Sequence, residues 1–461
     1  MSENTNHKKV SPWFVLPFFL ALAALTVVSF LIPLRPARSQ MEKRELARFP
    51  EFSWQALSSG DYFDGISLWF SDTFPGREGW IDLSTRVSAL HGSSEIAIEG
   101  QIPEAQVAVP PVIPENRQTP EKPLPAQTQP QEDEPAETTA PPESWGGLEI
   151  HDQGEIQLGA VIQIGDTAFN YQGFSQIFSD EYAASLSYLQ ELVKDQGVRV
   201  VSAPAPTSVG IMVEKQFLEQ MKCADQNEII SYMHGKLRNG VVPVDTYDAL
   251  IHHNDEYLFF KTDHHWTALG AYYSYRAICQ SLGYEPAELD SFRIMDQGKF
   301  RGSLCYKSPR PQKLSDDQVL AYKPQGDIVM TVYQGENAGL NPNSGTVRPL
   351  LRDMSDQPMD TKYLTFIWSD NPLTVITNNS LPDAPDCILV KDSFGNCLAP
   401  FLTQNYHNVI AVDYRKYYTM RLPELAEKYQ VEDIIFAPYL TATQSQDGNH
   451  CFRRLCAVDI K

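Results

Sequence analysis

The sequence has a deficit of positive charge. Lys and Arg number 37 against 58 Asp and Glu, and the net charge is −21. No stripe of Lys and Arg interleaved with aromatic residues occurs along the chain, and a polyanionic backbone needs such a surface. We therefore expect no nucleic-acid partner. Apolar residues make up 42% of the chain, enough for a substantial core in one large or two ordinary domains.

Paired metal-binding cysteines are also absent. None of the seven cysteines belongs to a Cys-x-x-Cys pair, the spacing that structural zinc sites commonly use. We expect no zinc knuckle and no cofactor. Because seven is odd, at least one thiol stays free. Cys451 and Cys456 are close enough in sequence for a local disulfide in an oxidising compartment, and burial as small apolar residues is an equally good interpretation.

Charged residues are missing altogether from residues 10–34. At about 1.5 Å per residue, this run can cross a hydrocarbon core of about 30 Å as a helix. A cleaved signal peptide is the alternative, but the run is long for one and Arg35–Arg38 is a poor cleavage site. We expect a cytoplasmic tail at 1–9, a single transmembrane helix at 10–34 and an extracytoplasmic main domain at the cell membrane. The basic residues on the two sides of the run do not by themselves fix this orientation.

Eleven prolines lie between Pro103 and Pro142, mixed with Gln, Thr and Glu. Such a composition buries too little apolar area to offset the entropy of ordering it, so residues 101–147 are expected to form a disordered, acidic, Pro-rich insert. Apolar residues near helical spacing precede it, as in Tyr62–Phe70. We therefore expect residues 35–100 to pack on the main domain, which spans residues 148–461.

Beyond the insert, short apolar runs typical of buried strands alternate with amphipathic helical patterns. Repeated strand–helix–strand units favour a three-layer α/β domain with a mostly parallel sheet and helices on both faces. Chemistry in such sheets lies at the carboxyl ends of the strands. The predicted strands are Ala160–Ile164, Val198–Ala203, Val241–Val244, Cys387–Val390, Asn408–Val412 and Asp433–Ala437, and the predicted helices are Ala183–Gln196, Asn227–Leu237, Thr267–Leu282, Gly395–Leu402 and Leu422–Tyr429.

One motif, Lys261–Thr267, pairs a carboxylate with an imidazole just before a predicted helix that Thr267 can cap. In an extended stretch residues i and i+2 share a face, so we expect Asp263 and His265 to point together while His264 points away. The carboxylate would raise the basicity of the imidazole and fix its tautomer, as a general base needs. A capped helix start with solvated histidines and a metal site formed by all three residues are the alternatives.

A second motif, Cys387–Asn396, runs from an apolar strand through an Asp-Ser turn into a helix. This predicts Ser393 at the carboxyl edge of the sheet, beside free N–H groups of a helix N-terminus that can stabilise an oxyanion. Ser393 could instead serve only as a helix N-cap. Together the two motifs supply the nucleophile, base and orienting carboxylate of an acyl-transfer site, with Ser393, His265 and Asp263 in these roles.

The block Thr262–Thr267, which reads Thr-Asp-His-His-Trp-Thr, resembles the signature of the DHHW family of Gram-positive cell-surface proteins, relatives of the alginate O-acetylation proteins and the SGNH hydrolases. Met41–Leu46, Asp72–Arg77 and Val390–Asn396 carry the resemblance across nearly the whole folded chain. It implies an SGNH-hydrolase-like fold in which Ser393, His265 and Asp263 match the nucleophile, base and orienting residue. It also implies O-acetyl transfer to, or removal from, an exported polysaccharide, with a multi-pass membrane acyltransferase delivering the acetyl group.

The chain departs from this pattern in the loop Trp368–Pro372, where a Gly-Gly-Asn-His-like segment is expected to donate to the oxyanion. Either Asn371 takes that role or the side-chain donor is missing, and an inward-pointing Asp370 would repel the oxyanion. Arg415 lies in a further block that resembles the family, and it either holds an anionic substrate group or forms a structural ion pair. The remaining substrate-binding candidates are Trp266, His264 and Asn396.

The leading hypothesis is an extracytoplasmic serine O-acetyltransferase or acetylesterase that acts on a cell-envelope or exported polysaccharide. Transfer and hydrolysis pass through the same acyl-enzyme, so the sequence does not choose between them. The rival is a non-catalytic glycan-binding or scaffold subunit of a polysaccharide-modification complex. A separation of Ser393 Oγ and His265 far beyond about 3 Å would favour that rival. A metal-dependent hydrolase is the third option.

Overall fold

The chain divides into two compact units, Met1–Glu95 and Ile96–Lys461. The computed structural model describes residues 48–50, 52–53, 61–74, 161–308 and 310–458. In the first unit, Asp61–Asp72 form helix α1, and the rings of Phe49 and Trp69 meet edge-on with their centroids 4.9 Å apart. The expected packing of residues 35–100 on the main domain stays a prediction.

The predicted transmembrane helix finds no support in the structure. Within the ranges given above, no helix is long and apolar enough to cross a membrane. Residues 10–34, for which the helix is predicted, lie outside those ranges. The predicted tail at 1–9 and the predicted insert at 101–147 lie outside them as well.

An eight-stranded mixed sheet dominates the second unit. Its strands are β3 Arg199–Ser202, β4 Val242–Pro243, β7 Ile328–Tyr333, β8 Thr346–Arg348, β9 Leu373–Asn378, β10 Cys387–Lys391, β11 Asn408–Asp413 and β12 Asp433–Ala437. They lie in the order β4-β3-β12-β10-β11-β9-β7-β8. Two separate hairpins are formed by β1 Val161–Ile164 with β2 Thr167–Asn170, and by β5 Arg293–Phe300 with β6 Asp317–Lys323.

The prediction of a mostly parallel sheet is wrong. The first five strands of that order, β4 to β11, are paired parallel, whereas β11–β9, β9–β7 and β7–β8 are antiparallel pairs. The antiparallel half comes from residues 328–378, where the sequence has no repeated strand–helix unit. Antiparallel strands can leave one face in water and then lack the continuous apolar run of a parallel strand. β8 at the sheet edge is exposed along its whole length, and so it gives no apolar signal.

Helices cover both faces of the sheet. They are α2 Gln176–Val193, α3 Ser208–Met212, α4 Lys215–Gln220, α5 Gln226–Lys236, α6 Thr246–Ile251, α7 Ala268–Leu282, α8 Gly395–Leu402, α9 Leu422–Tyr429, α10 Leu440–Thr443 and α11 Gln446–Leu455. Successive residues of a strand point to opposite faces, so Cys387 and Leu389 of β10 join one apolar core and Ile388 and Val390 the other. α7 and α8 complete the first core, and α2, α5, α9 and α11 complete the second.

No disulfide forms among the seven cysteines, all of which lie in the described ranges. Cys451 is partly exposed and the other six are buried. The structure therefore has no Cys451–Cys456 bridge, and the interpretation of these cysteines as small apolar residues is the one it supports. Burial raises the pKa of the Cys456 thiol, which makes that thiol a poor nucleophile.

Candidate active site

Ser393 lies in the turn that connects β10 to α8. All five residues of β10 are buried, as expected for a central strand covered on both faces. The strand therefore delivers Ser393, partly exposed, to the carboxyl edge of the sheet. Asp392 orders this turn, because its Oδ1 accepts the N–H of Phe394 at 2.9 Å. Its Oδ2 accepts the N–H of Tyr439 at 2.8 Å and the hydroxyl of Tyr414 at 2.9 Å. Burial raises the pKa of Asp392.

The segment from Asp263 to His265 forms a bend before α7 rather than the predicted extended stretch. Asp263 Oδ1 accepts the backbone N–H of His265 at 3.1 Å and also bonds to the ring Nδ1 of that residue. A side chain that accepts the N–H two residues on is the pattern of an Asx turn. The two side chains meet as predicted, but the turn brings them together and strand alternation does not. Thr267 caps α7 as predicted, accepting the N–H of Gly270 at 3.4 Å.

Contacts from two other elements fix this bend. On β6, the carboxylate of Asp317 accepts the N–H groups of Lys261 and Thr262, each at 2.7 Å. Trp266 is fully buried and donates its indole N–H to the carbonyl of Phe394 at 2.9 Å. This bond ties the motif to the turn that carries Ser393. Burial also leaves Trp266, a predicted substrate-binding candidate, without an exposed face for a substrate.

The structure brings the serine, the imidazole and the carboxylate into one hydrogen-bonded row. Ser393 Oγ lies 2.7 Å from His265 Nε2, and His265 Nδ1 bonds to Asp263. The second oxygen of Asp263 accepts the N–H of Ser303 at 2.7 Å. Burial would raise the pKa of Asp263, but the neighbouring histidines and the Ser303 N–H outweigh it and hold that pKa well below its usual range. An ionised Asp263 favours a proton on Nδ1, which leaves Nε2 free to accept the proton of Ser393.

Tyr363 supports the histidine, although no feature of the sequence indicates this role. Its ring stacks on His265 with the centroids 4.0 Å and the planes 13° apart. Its hydroxyl donates to the carbonyl of Ser393 at 2.8 Å. Tyr363 belongs to a 3-10 helix, Met359–Thr365, in a stretch with no motif or periodic pattern. No local pattern could have identified Tyr363, because both contacts join it to residues that are distant in the sequence.

His264 lies beside the row of three and does not point away from it. Its Nδ1 is 2.9 Å from Ser303 Oγ and 3.6 Å from Asp263 Oδ1, and its ring centroid is 3.9 Å from that of His265. Burial and the nearby His265 lower the pKa of His264 to about 3, so it is neutral at pH 7. Asp263, His264 and His265 each offer a possible metal-ligating atom within 4.8 Å of the others. A metal there would compete with the bond between His265 and Asp263.

Asp370 is neutralised by basic side chains. Arg415 pairs with its Oδ2 at 2.9 Å, Lys391 Nζ lies 3.8 Å from its Oδ1, and the amide of Asn396 donates to Oδ1 at 2.9 Å. Burial would raise the pKa of Asp370, but Lys391 and Arg415 hold it well below its usual range. Arg415 also pairs with Asp413 at 2.6 Å. Of the two interpretations of Arg415, the structure therefore supports the structural ion pair. Both polar atoms of the Asn396 amide are engaged as well, because its oxygen accepts from Lys391 Nζ.

The sequence model of one protein family matches residues 42–117 and 133–412 of this chain, and the description of that family is DHHW protein. The chain belongs to the DHHW family. The matched residues include Asp263, His265 and Ser393, and the family membership predicted from the motif is confirmed. No curated protein matches the sequence of the chain.

Solved structures with similar folds include another DHHW family protein, from Eubacterium siraeum, at 24% identity and a TM-score of 0.56, covering 64% of this chain and 95% of that one. PatB1 of Bacillus cereus, solved with a sulfonyl adduct, is 17% identical with a TM-score of 0.51, covering 64% of this chain and 97% of that one. The O-acetyltransferase domain of Pseudomonas putida AlgJ is 12% identical with a TM-score of 0.36, covering 62% of this chain and 90% of that one. The first two similarities establish the fold, and the third is too low to support an argument.

The loop in which this DHHW protein departs from the expected pattern has a strained backbone. Ile367, Trp368 and Ser369 have φ angles of +39°, +61° and +84°, a left-handed conformation that costs on the order of 1–3 kcal/mol for each non-glycine residue. The amide of Asn371 stabilises the turn by donating to the carbonyls of Ile367 at 3.1 Å and Ser369 at 3.2 Å. Both amide hydrogens of Asn371 are therefore engaged within the loop, which leaves none for an oxyanion.

Gly302 leaves the space that the Asp263 carboxylate occupies in this DHHW protein. A Cβ added at Gly302 would lie 2.2 Å from both Cβ and Oδ2 of Asp263, far inside van der Waals contact. We expect Gly302→Ala to displace the carboxylate from His265. Overpacking of this kind lowers the free energy of unfolding by about 1–3 kcal/mol. A displacement near 1 Å at a catalytic centre lowers turnover by about 100-fold. Urea unfolding and ester hydrolysis measure the two effects.

Gly173→Ala is the matched control for Gly302→Ala. The three atoms nearest to a Cβ at Gly173 all belong to the Tyr171 side chain, the closest at 3.2 Å, and this side chain can move slightly. We expect turnover within about twofold of the unmodified protein, as for surface changes away from special features. Unchanged turnover in Gly302→Ala would mean that Asp263 does not need this position.

Proposed function

We propose that this DHHW protein is a serine-dependent O-acetyltransferase or acetylesterase of SGNH type that acts on a cell-envelope or exported polysaccharide. The observation that carries the proposal is the 2.7 Å separation of Ser393 Oγ and His265 Nε2, with Asp263 bonded to the other ring nitrogen. A separation far beyond hydrogen-bond reach would have favoured a non-catalytic scaffold, and the observed contact supports the serine mechanism instead.

In the proposed reaction, Ser393 Oγ attacks the carbonyl carbon of an acetyl ester while its proton passes to His265 Nε2. The ester C–O bond then breaks, and His265 returns the proton to the departing oxygen. An acceptor hydroxyl gives its proton to His265 and attacks the acetyl-serine, after which the same proton returns to Ser393. A sugar hydroxyl as acceptor gives transfer, and water gives hydrolysis. Asp263 stabilises the imidazolium in both halves of the cycle.

The oxyanion of the tetrahedral intermediate needs a hydrogen-bond donor beside the nucleophile. The backbone N–H of Ser393 donates to no acceptor in the described part of the chain, and α8 begins two residues later. We assign the stabilisation to this N–H, since the amide of Asn371 is engaged within its own loop. One missing donor in an oxyanion hole slows turnover by about 10²–10³-fold. We expect this protein to be slower by such a factor than a site with an additional side-chain donor.

The acyl group and the partners are inferred from relatives. The resemblance of the motif to alginate O-acetylation proteins supports acetyl as the group transferred and a polysaccharide as the acceptor. We further propose that a multi-pass membrane acyltransferase supplies the acetyl group and that the main domain works outside the cytoplasm. The sulfonyl adduct of PatB1 supports a test by sulfonylation, because sulfonyl groups attach to activated nucleophiles.

Phenylmethylsulfonyl fluoride should modify the full chain at Ser393. Oγ attacks the sulfur, fluoride leaves, and His265 takes the proton, so the reaction reports the same pair of residues as acyl transfer. Without the base, labelling should be at least about 100-fold slower. Peptide mass spectrometry over a time course measures the rate in the unmodified chain and in His265→Ala, with His407→Ala as the matched control. Equal labelling of Ser393 in His265→Ala would overturn the proposed activation.

A further inference from the structure

Two arginines beside the strained loop have no acidic partner within the described ranges. Cζ of Arg348 and Cζ of Arg352 each lie 4.7 Å from the ring centroid of Trp368. Neither guanidinium forms an ion pair or hydrogen bond with any residue the structure describes. Arg199 and Arg301, by contrast, each pair with an aspartate. In a chain of net charge −21, two unpaired guanidinium groups at one indole are a local concentration of positive charge.

The indole that both arginines contact is fixed in place. Its N–H donates to the carbonyl of Pro349 at 2.7 Å. Beside it, the N–H of Arg352 donates to the carbonyl of Thr365 at 2.9 Å. Trp368 itself has a φ of +61°, and such strain persists only where the surroundings over-determine it, often at ligand-binding sites. The indole ring that both arginines contact is therefore held in a fixed position.

The arginine pair also lies near the nucleophile. Trp368 is two residues from Asp370, a span of at most about 7 Å. Asp370 accepts the amide of Asn396 at 2.9 Å, three residues after Ser393. On the other side of the loop, Tyr363 donates to the carbonyl of Ser393 at 2.8 Å. These contacts place the loop that carries Trp368 next to the turn that carries Ser393.

We propose that Arg348 and Arg352 bind an anionic group, a carboxylate or a phosphate, of the polysaccharide that accepts the acetyl group, an inference that rests on the proposed function. A guanidinium held over a ring by a cation–π contact keeps N–H groups available for bonds to such an anion. The acidic neighbour Asp353 bonds to Ser355 at 2.7 Å and pairs with neither arginine in the described part of the chain. The substrate class is thus a negatively charged glycan.

Binding of three polymers to the full chain carrying Ser393→Ala tests this inference without turnover. The probes are an oligo-uronate with carboxylates, an oligo(glycerol phosphate) with phosphodiesters, and neutral dextran. We expect one of the two anionic polymers to bind at least about tenfold more tightly than dextran, as charge-assisted bonds predict. Adding Arg348→Gln and Arg352→Gln should abolish that preference. Raising the salt concentration should weaken anionic binding only when both arginines are present.

The matched control is Arg293→Gln with Lys323→Gln, which removes two positive charges from the β5–β6 hairpin, where these exposed residues face each other. Anionic binding should stay within about twofold of the parent, because screening limits the reach of distant charges. Equal binding of dextran and both anionic polymers, or anionic binding unchanged by the arginine substitutions, would overturn the inference. Neither result bears on acyl transfer, which ester turnover and sulfonylation test separately.

Discussion

Ester hydrolysis by the Ser393→Ala protein is expected to fall by at least about 10⁴-fold, the scale on which loss of a triad nucleophile acts. The fold should be unaffected, since the hydroxyl makes its hydrogen bond with His265 at 2.7 Å while the turn itself is ordered by Asp392. Initial rates on p-nitrophenyl acetate, together with the melting temperature, measure the two quantities.

Ser344→Ala is the matched control for this change. Ser344 is exposed in the 3-10 helix Pro342–Ser344, remote in sequence from both motifs, and its hydroxyl bonds locally, to the carbonyl of Asn341 at 2.7 Å. Its removal should leave the rate within about twofold. A Ser393→Ala protein that keeps its rate would eliminate the serine mechanism and favour the scaffold role.

The parallel half of the sheet could be predicted because its strands carry their signal locally. β10 and β12 are buried at every position, so each appears in the sequence as a short continuous apolar run, and α8 and α9 have the predicted bounds. The antiparallel half of the sheet could not be predicted in this way. β8 is exposed throughout, and what makes it a strand is its pairing with β7, a contact that no local pattern encodes.

The site shows the same division between local and distant information. The grouping of Asp263, His265 and Ser393 could be predicted from spacing and turn chemistry, even though an Asx turn replaces the expected extended stretch. The positions of Tyr363 and Gly302 in the site could not be predicted, because these residues contact His265 and Asp263, which are distant from them in the sequence. Whether a polar residue faces a substrate or its own loop is likewise decided by tertiary packing.

Asp263→Asn should lower turnover by about 10⁴-fold, because the carboxamide cannot satisfy both of its neighbours. If its oxygen faces His265, its N–H₂ group meets the N–H of Ser303, which now donates to the carboxylate at 2.7 Å. If the group is turned over, its N–H₂ faces His265 Nδ1 and forces the proton onto Nε2. That tautomer cannot accept the proton of Ser393. Hydrolysis of p-nitrophenyl acetate at pH 7 measures the loss.

Asp433→Asn is the control that separates a loss of catalysis from a loss of stability in Asp263→Asn. Asp433 is fully buried at the start of β12, at the sheet edge opposite Ser393, and it accepts from Arg199 at 2.7 Å and Tyr406 at 2.8 Å. Its substitution should destabilise the fold but leave the turnover of folded protein within about threefold, since it touches no reacting group.

Acid unfolding gives Asp263→Asn a second signature. The pKa of Asp263 is lowered from 3.8 on folding, so its ionised form contributes stability that is fully present above about pH 4 and is lost as the pH falls through the folded-state value. The difference in free energy of unfolding between the unmodified protein and Asp263→Asn should therefore be constant from pH 7 to about pH 5 and shrink below about pH 4. Urea titrations across this range measure it. A difference that grew towards low pH would mean that Asp263 is protonated in the folded protein and cannot orient His265.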